Sequence, residues 1–402
     1  MKHQDPIAVL EIGTTHITLT LGEPLGQGRI RVIARADVPS VGVRKSCIID
    51  MKQVSFAIET AIKNIAHNFN WTVGTATLIV SGPHITMTSR SHQIAVDGGS
   101  VTEETMRALN NHAWEEASSS ASRTLLDLSE TGYSIGELTG IVNPCNMTGH
   151  LLTLHALGID ASTDRVEDAR KAAEAANLQL SDEFLFAGTC AAAGVLSEED
   201  KEAGTLVIDL GGGCTSWSLH CDGRLAYASV LGVGGDHVTS DIAQAFTLPQ
   251  ATAEQIKPLA SATLERDREG TRIDVPATIT GSSGNTISSR ALDTVVNARM
   301  RELFTIIRDD LEKAGALHLI RGGIILTGGG SALNGAAKLC ETIFGSHTRL
   351  GQPIPEVEGL EKAPFPPSVA TVAGALSILA QQYADETPDD GGFASFFGKF
   401  FK

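Results

Sequence analysis

Basic residues are scarce in this 402-residue sequence. Lys and Arg total 31 against 47 Asp and Glu, which gives a formal net charge of −16. Because so acidic a protein repels nucleic-acid phosphates, we expect no nucleic acid among its partners. The same charge opposes contact with an anionic membrane, so membrane attachment would require a local element that overcomes it.

Paired cysteines and long apolar runs are also lacking. The six cysteines are scattered, without a CxxC pair or a Cys/His spacing that suits a metal site. We find neither a signal peptide nor an apolar run long enough to span a bilayer. These absences argue against a secreted or membrane-spanning protein, and we expect a cytoplasmic protein with reduced thiols.

Glycine, in contrast, is abundant, and a strand followed by a glycine turn occurs twice. An apolar strand at 7–12 and another at 206–210 each lead through a turn into a second strand. Glu11 and Asp209 occupy the same place in the two copies, two residues before the first glycine of the turn. The turns are formed by Gly13, Thr14 and Thr15 in the first copy and by Gly211, Gly212 and Gly213 in the second.

This arrangement suits a polyphosphate. A turn without bulky side chains lets backbone N–H groups approach phosphate oxygens. An acid at the strand end can hold a metal ion beside the phosphates, so Glu11 and Asp209 are candidate Mg²⁺ ligands through water. A tight structural turn would explain one copy alone, but two copies with matching acids favour a triphosphate held between two lobes.

Two further glycine turns precede predicted helices. Gly234 and Gly235 come before a helix that we expect from Val238. A strand at 324–327 leads into the turn of Gly328, Gly329, Gly330 and Ser331, and we expect the next helix to begin at Ala332. Such a turn can bring backbone close to a base or ribose.

Glu254 and Lys257 lie three residues apart on one face of a predicted helix. Taken alone, this spacing is typical of a solvated surface pair.

The combined segments resemble the FtsA family of bacterial division proteins, within the superfamily of actin, heat-shock chaperones and sugar kinases. The resemblance covers most of the chain and is carried by residues 81–85, 155–188, 235–243, 323–331 and 368–374. It implies an α/β, actin-like fold: a two-lobed ATPase built on a duplicated ribonuclease H-like core, with an inserted subdomain of the FtsA type.

The resemblance also implies a division of the chain into segments. These are core lobe I (1–85, 163–205 and 365–384), the inserted subdomain (86–162), core lobe II (206–235 and 306–364), a further subdomain (236–305), a linker (385–392) and a terminal helix (393–402).

Roles for the glycine turns follow from the resemblance, with ATP as the nucleotide. It assigns Gly13, Thr14 and Thr15 to the first phosphate loop, and Asp209 with Gly211, Gly212 and Gly213 to the second. Gly234 and Gly235 match a loop near the phosphates, Glu254 and Lys257 a ribose contact, and Gly328, Gly329, Gly330 and Ser331 the adenosine loop.

Four positions depart from the family pattern, and one of them is His16, which follows the first loop where the family often has Lys or another polar residue. Glu11 stands where the family usually has Asp, and Cys214 and Ser216 stand where it has Thr and Asp. A longer acid and a lost hydroxyl and carboxylate would displace the metal and the attacking water. Because misplacement of about 1 Å can cost about a hundredfold in rate, we expect nucleotide binding with slow or no hydrolysis, and we assign no catalytic residue.

The end of the sequence carries a separate signal. Five aromatic residues repeat at helical spacing after an acidic linker, and two lysines accompany them: Phe393, Phe396, Phe397, Phe400 and Phe401, with Lys399 and Lys402. This pattern predicts a short amphipathic helix that inserts into an anionic lipid surface, although a helix docked on the protein's own core would show the same stripe. One copy would bind weakly, so stable attachment would need many copies in a polymer.

The resemblance implies a filament-forming, ATP-binding adaptor that tethers the FtsZ ring to the inner face of the cytoplasmic membrane at the division site. Its partners would be FtsZ through 236–305, further copies of itself, anionic lipid, and other division proteins through the inserted subdomain. A pilus-assembly adaptor of the PilM type is the alternative, and a sugar-kinase-like phosphotransferase ranks below it, because no catalytic base or substrate pocket is evident. A heat-shock chaperone would need a substrate domain after residue 380.

Overall fold

A computed structural model of the chain describes residues 6–264, 270–275, 286–360 and 363–386. The strands within these ranges are β1 (Ile7–Ile12), β2 (His16–Gly26), β3 (Arg29–Pro39), β4 (Val43–Arg44), β5 (Cys47–Ile48), β6 (Thr75–Val80), β7 (Thr86–Ala95), β8 (Arg123–Ile135), β9 (Leu138–Ile141), β10 (Leu151–Ser162), β11 (Gln179–Phe186), β12 (Thr205–Leu210), β13 (Thr215–Cys221), β14 (Arg224–Leu231), β15 (Arg272–Asp274), β16 (Thr286–Ser288), β17 (Gly323–Thr327), β18 (Thr348–Leu350) and β19 (Val357–Glu358). The helices are α1 (Met51–Phe69), α2 (Glu103–Ala117), α3 (Thr163–Ala175), α4 (Ala187–Ala193), α5 (Glu198–Ala203), α6 (Gly235–Phe246), α7 (Gln250–Ile256), α8 (Ser289–Lys313), α9 (Ala336–Phe344) and α10 (Ala370–Glu386).

Two sheets that share the same order over five strands form the body of the molecule, as the predicted duplication requires, and the first sheet has β19 as a sixth strand. The first has the order β11-β6-β1-β2-β3-β19, and the second has the order β18-β17-β12-β13-β14. In each, three consecutive strands form an antiparallel meander, and the first of them pairs in parallel with a later strand, β1 with β6 and β12 with β17. The actin-like, duplicated α/β fold predicted from the sequence is therefore correct.

Alternation along β1 and β12 decides which way the two acids point. Leu10 packs with α1 and α3 on one face of the first sheet, and Leu210 packs with α8 and α9 on the equivalent face of the second. Val9 and Val207 lie on the opposite faces, against the helices between the lobes. Because side chains alternate along a strand, Glu11 and Asp209 share the faces of Val9 and Val207.

Helices α4 and α10 cross closely between the lobes. A methyl group built on Gly374 would lie 1.7 Å from the Cys190 carbonyl oxygen, and one on Gly194 would lie 2.0 Å from that of Ala370. Only glycine fits at such a crossing, so the two backbones pack directly against each other.

A third sheet, ordered β7-β10-β8-β9, forms the insertion after β6 and is covered by α2. The Thr102 side chain caps the start of α2, because it accepts a hydrogen bond from the Thr105 backbone N–H at 3.1 Å. The insertion also contacts lobe II through an ion pair between Arg224 on β14 and Glu130 on β8, with an N–O distance of 3.1 Å. Tyr133 donates a hydrogen bond to the same carboxylate at 2.6 Å.

The bounds of several elements differ from the prediction. Helix α6 begins at Gly235 rather than Val238, and α9 begins at Ala336 rather than Ala332. Residues 329–332 instead form a 3₁₀ turn, and Gly335, with φ of 75°, ends the irregular stretch before the helix. None of the helices in the described ranges is both long and apolar enough to cross a bilayer.

Helix α10 continues through Glu386, so the first two residues of the predicted linker are helical. The rest of that linker and the predicted membrane residues of the tail, Phe393 to Lys402, lie outside the described residues.

Candidate functional site in the cleft between the lobes

The two repeated turns face a single cavity of about 590 Å³. Its wall contains every predicted nucleotide or metal residue except Ser331: Glu11, Gly13, Thr14, Thr15, Asp209, Gly211, Gly212, Gly213, Gly234, Gly235, Glu254, Lys257, Gly328, Gly329 and Gly330. Residues that are up to 319 positions apart in the sequence therefore meet at one site. A cleft of this size is typical of a small-molecule site.

The first two turns are alike at their first glycine, which lies close to the carbonyl three residues on. The Gly13 N–H donates to the His16 carbonyl at 3.0 Å, which closes the first turn. A methyl group built on Gly13 would lie 2.8 Å from that carbonyl, and one built on Gly211 would lie 2.8 Å from the Cys214 carbonyl. The absent side chains thus allow both turns to close tightly and present their backbone to the cavity.

The two turns also touch each other across the cleft. A methyl group on Gly212 would lie 2.6 Å from the Thr15 methyl carbon, and one on Gly213 would lie 2.3 Å from the Thr14 hydroxyl. Glycine is needed here because the opposing lobe occupies the space that a side chain would fill.

The Gly234-Gly235 segment is held against the second turn by backbone hydrogen bonds. The Gly235 N–H donates to the Gly211 carbonyl at 3.0 Å, and the Asp236 N–H donates to the Gly212 carbonyl at 2.8 Å. A side chain on Gly234 would strike both carbonyls, at 2.5 Å each. The start of α6 and the second turn therefore form one rigid wall of the cavity.

Glu11 and Asp209 face the cavity from opposite lobes. Burial, with a further contribution from Asp209, raises the pKa of Glu11 from 4.5 to about 7. Burial also raises the pKa of Asp209 to about 6, although a hydrogen bond from the Thr327 hydroxyl, at 3.1 Å, acts in the opposite direction and lowers it. Two desolvated carboxyl groups that repel each other are a favourable setting for a cation.

Mg²⁺ fits this pair only together with other ligands. Within the described residues no group of three or more His, Cys, Asp and Glu side chains is arranged to hold a metal ion. Mg²⁺ commonly keeps several waters and takes phosphate oxygens as ligands. The two acids thus suit an ion that water and phosphate oxygens complete.

Glu254 and Lys257 form an ion pair at the cavity wall, with an N–O distance of 2.8 Å. The Thr239 hydroxyl bonds to the Glu254 carboxylate, and Lys257 donates to that hydroxyl at 3.1 Å. Helix α7 ends at Ile256, so Lys257 begins the following 3₁₀ turn rather than continuing the helix. The lysine side chain is 19% exposed and the glutamate 54%, so the pair is anchored at its lysine end and is not a simple surface pair.

The third glycine turn packs against the start of the second. A side chain on Gly328, whose φ is 78°, would lie 2.5 Å from the Leu210 carbonyl and 2.6 Å from the Asp209 carboxylate. Ser331 lies behind the turn, where it is buried and donates to the Gly328 carbonyl at 2.7 Å. The Ser331 side chain therefore stabilises the turn and does not line the cavity.

Sequence reasoning missed a polar row on lobe I. Glu11 on β1 pairs with Thr18 on β2, which pairs with Asp37 on β3, and all three line the cavity. The Thr18 hydroxyl donates to Asp37 at 2.7 Å, and Arg35 holds the same carboxylate at 2.9 Å. The polar residues of β2 and β3 were visible in the sequence, but only the strand register shows that they join Glu11.

The positions that depart from the family pattern also lie at the cavity. Cys214 and Ser216 are both in its wall and both largely buried. Burial raises the pKa of the Cys214 thiol to about 11, so it is neutral near pH 7. On these matching strands, lobe II therefore contributes one carboxylate to the cavity, Asp209, whereas lobe I contributes two, Glu11 and Asp37.

Known proteins resemble this chain over most of its length. A family model described as cell division protein FtsA matches residues 206–374, and one described as the SHS2 domain inserted in FtsA matches residues 82–159. The FtsA protein of Pseudomonas aeruginosa is 29% identical over 94% of this chain and 90% of the relative, and that of Escherichia coli K12 is 28% identical over 91% and 88%.

Solved structures agree on the fold. A PilM-PilN type IV pilus biogenesis complex has a TM-score of 0.65 at 17% identity, covering 93% of this chain and 98% of the other. MreB5 of Spiroplasma citri bound to ADP has a TM-score of 0.53 at 16% identity, covering 95% and 98%. At these identities the structures establish the actin-like fold alone. Since both FtsA-specific models match in the expected order and relatives align over nearly the whole chain, the protein belongs to the FtsA family of cell division proteins.

Proposed function

We propose that the chain binds ATP with Mg²⁺ in this cleft and acts as an actin-like adaptor in cell division. The observation that carries the proposal is the meeting of two duplicated glycine turns, each preceded by an acid, at one cavity. Solved MreB5 structures with ADP and with AMPPNP share the fold and support a nucleotide as the ligand.

In this proposal the two turns cradle the phosphates with backbone N–H groups. Glu11 and Asp209 orient Mg²⁺ through water, Glu254 and Lys257 contact the ribose, and the third glycine turn lies against the adenosine. Mg²⁺, when bound, would neutralise phosphate charge that the acidic cleft otherwise repels. The chain's own contribution is to position the phosphates and to exclude water from them.

Nucleotide titration of the full chain, with and without Mg²⁺, tests the proposal. Asp209→Asn should weaken Mg-ATP binding about tenfold, because it removes one of two carboxylates near the ion. Asp222→Asn is the matched control, since Asp222 is an exposed acid of the same lobe with 82% of its side chain accessible. Failure of the wild-type chain to bind ATP, or equal loss in both variants, would contradict the proposal.

We propose further that hydrolysis is slow. Ser216 offers no carboxylate where the family usually has an acid, and the buried Cys214 thiol is a poor substitute for a hydroxyl. Phosphate release should stay well below about one turnover per second, a rate typical of working enzymes. Faster turnover would contradict this part of the proposal.

The division role that we propose is a filament that tethers the FtsZ ring to the inner face of the cytoplasmic membrane. Membership of the FtsA family supports a role in the division machinery. The five tail phenylalanines with Lys399 and Lys402 supply the lipid contact, residues 236–305 the FtsZ contact, and the insertion the contact with neighbouring copies or other division proteins.

Sedimentation with anionic vesicles tests the tail. The full chain should pellet with vesicles, a chain that ends at Tyr383 should not, and a full chain with Phe397→Glu should pellet much less. Addition of FtsZ should bring FtsZ into the pellet only when the tail is intact. Equal pelleting of the full and shortened chains would contradict the membrane contact, and electron microscopy on a lipid monolayer, with and without ATP, would show whether filaments form.

A further inference from the structure

The hairpin formed by β4 and β5 carries an unusual two-residue turn. Its tip residues, Lys45 and Ser46, have φ of 49° and 55°. Two-residue hairpins of this kind require positive φ at both positions and favour Asn and Gly there. Neither Lys nor Ser favours that conformation, so the tip maintains a strained backbone, and strain of this type concentrates at functional sites.

The strained tip lies against both phosphate turns. The Ser46 N–H donates to the Thr14 hydroxyl of the first turn at 2.9 Å, and Ser46 lines the cavity. A methyl group built on Gly213 of the second turn would lie 2.9 Å from the Lys45 Cα atom and 3.0 Å from its nitrogen. The tip is therefore a third element that closes on the same space as the two turns.

The charge of Lys45 has no partner at this place. Its side chain is half-buried, with the Cδ atom beside Gly232 and near the start of α6. Among the described residues no carboxylate lies within ion-pair distance of its ammonium group. After burial, the positive charge of Lys45 is the next cause that lowers the pKa of His237 on α6. A half-buried cation without a counter-ion, beside two anion-binding turns, suits an anionic ligand.

The order of contacts along the second turn indicates which phosphate would reach the tip. The third glycine turn packs against Leu210, just before the second turn, whereas the tip packs against Gly213, at its end. A nucleotide whose adenosine lies at the third turn therefore extends its phosphates toward the tip.

We propose that Lys45, with the backbone of Ser46, binds the terminal phosphate of a nucleoside triphosphate and makes the cleft prefer triphosphate over diphosphate. This inference rests on the nucleotide binding proposed above and adds a residue that the glycine turns do not include. Through Lys45 the strained hairpin contacts the nucleotide only when the third phosphate is present, because only the triphosphate reaches the hairpin tip.

The test compares ATP and ADP affinity in the full chain and in Lys45→Asn. Asparagine removes the charge but tolerates positive φ, so the hairpin keeps its conformation. ATP affinity should fall about 10- to 100-fold, the range for a charged hydrogen bond, while ADP affinity changes less than about twofold. Lys45→Arg should retain most of the preference, because it keeps the charge.

Lys52→Asn is the matched control, since Lys52 is an exposed lysine on the helix that follows the hairpin. Circular dichroism and thermal unfolding show whether each variant is folded. Equal loss of ATP and ADP affinity in Lys45→Asn, or no loss of either, overturns the inference. A wild-type chain that binds neither nucleotide refutes instead the proposed function on which the inference rests.

Discussion

Replacing Glu11 by glutamine should stabilise the nucleotide-free protein at alkaline pH. Burial, together with Asp209, raises the pKa of Glu11 from 4.5 to about 7. Between pH 4.5 and about 7, the folded protein therefore keeps a proton on Glu11, whereas the unfolded chain has released it. The free energy of unfolding thus falls as pH rises from about 4.5 to 7 and is level above that. Glutamine has the same shape without the charge and removes this dependence.

The magnitude follows from the same shift. Raising the pKa to about 7 corresponds to about 3 kcal/mol of unfavourable free energy above that pH. Since the carboxylate is partly open to water in the cleft, a gain of roughly 1–2 kcal/mol is expected for Glu11→Gln at pH 8. In a chain of this size, that gain raises the Tm by about 1–4 °C.

Thermal unfolding at pH 8 and pH 4.5, without nucleotide, checks the expectation. The variant should exceed wild type at pH 8 and match it at pH 4.5, whereas Glu59→Gln, a control on α1 whose side chain is 43% exposed and pairs with Lys63, should change little at either pH. With Mg-ATP present, wild type should gain more Tm than the variant, because ligand binding stabilises in proportion to affinity. A variant that is less stable at pH 8, or equally shifted at both pH values, would refute the reasoning.

Three substitutions test other contacts in the structure. Gly213→Ala would place a methyl group against Thr14 of the first glycine turn, and on the proposed nucleotide binding we expect at least a tenfold loss of ATP affinity. Gly74→Ala, whose methyl group meets open space, should change nothing in the same titration. Gly374→Ala would force α4 and α10 apart and should destabilise the protein by about 3 kcal/mol or more, measured as a lower Tm or as loss of folded protein on expression, and an unchanged Tm would count against the close crossing. Arg224→Met leaves the Glu130 carboxylate buried without its partner and should lower the free energy of unfolding by about 3 kcal/mol at neutral pH, measured as a lower Tm. The loss should be smaller when Glu130→Gln is added to the same chain. Additive losses from the two substitutions would contradict a direct ion pair.

Local patterns allowed much of the cleft to be predicted from the sequence. A strand, a glycine turn and a second strand are contiguous in the chain, so the repeat at residues 7–21 and 206–220 could be recognised without tertiary information. The strand order that the two sheets share over five strands follows from this duplication. The place of Glu254 and Lys257 came from family resemblance, because helical spacing alone does not distinguish a cleft residue from a surface residue.

The residues that were missed depend on pairing between distant segments. Asp37 reaches the cavity because β3 pairs with β2 in a register that aligns it with Thr18 and Glu11. Ser46 reaches it because a short hairpin folds back onto two turns, and its positive φ is not visible in the residue type. Ser331 shows the opposite case, since its serine matches a family pattern while its hydroxyl bonds back to its own turn.

The ion pair between Arg224 and Glu130 gives the insertion a second attachment. The insertion is joined to lobe I by the chain itself, at each end of its sheet, and to lobe II by two charges of which only 18% and 7% is exposed. If the lobes rotate apart, the insertion either follows lobe II, bending its connections to lobe I, or leaves a buried arginine and a buried glutamate without partners. Because leaving both charges buried without partners costs several kcal/mol, opening of the cleft and tilting of the insertion are coupled.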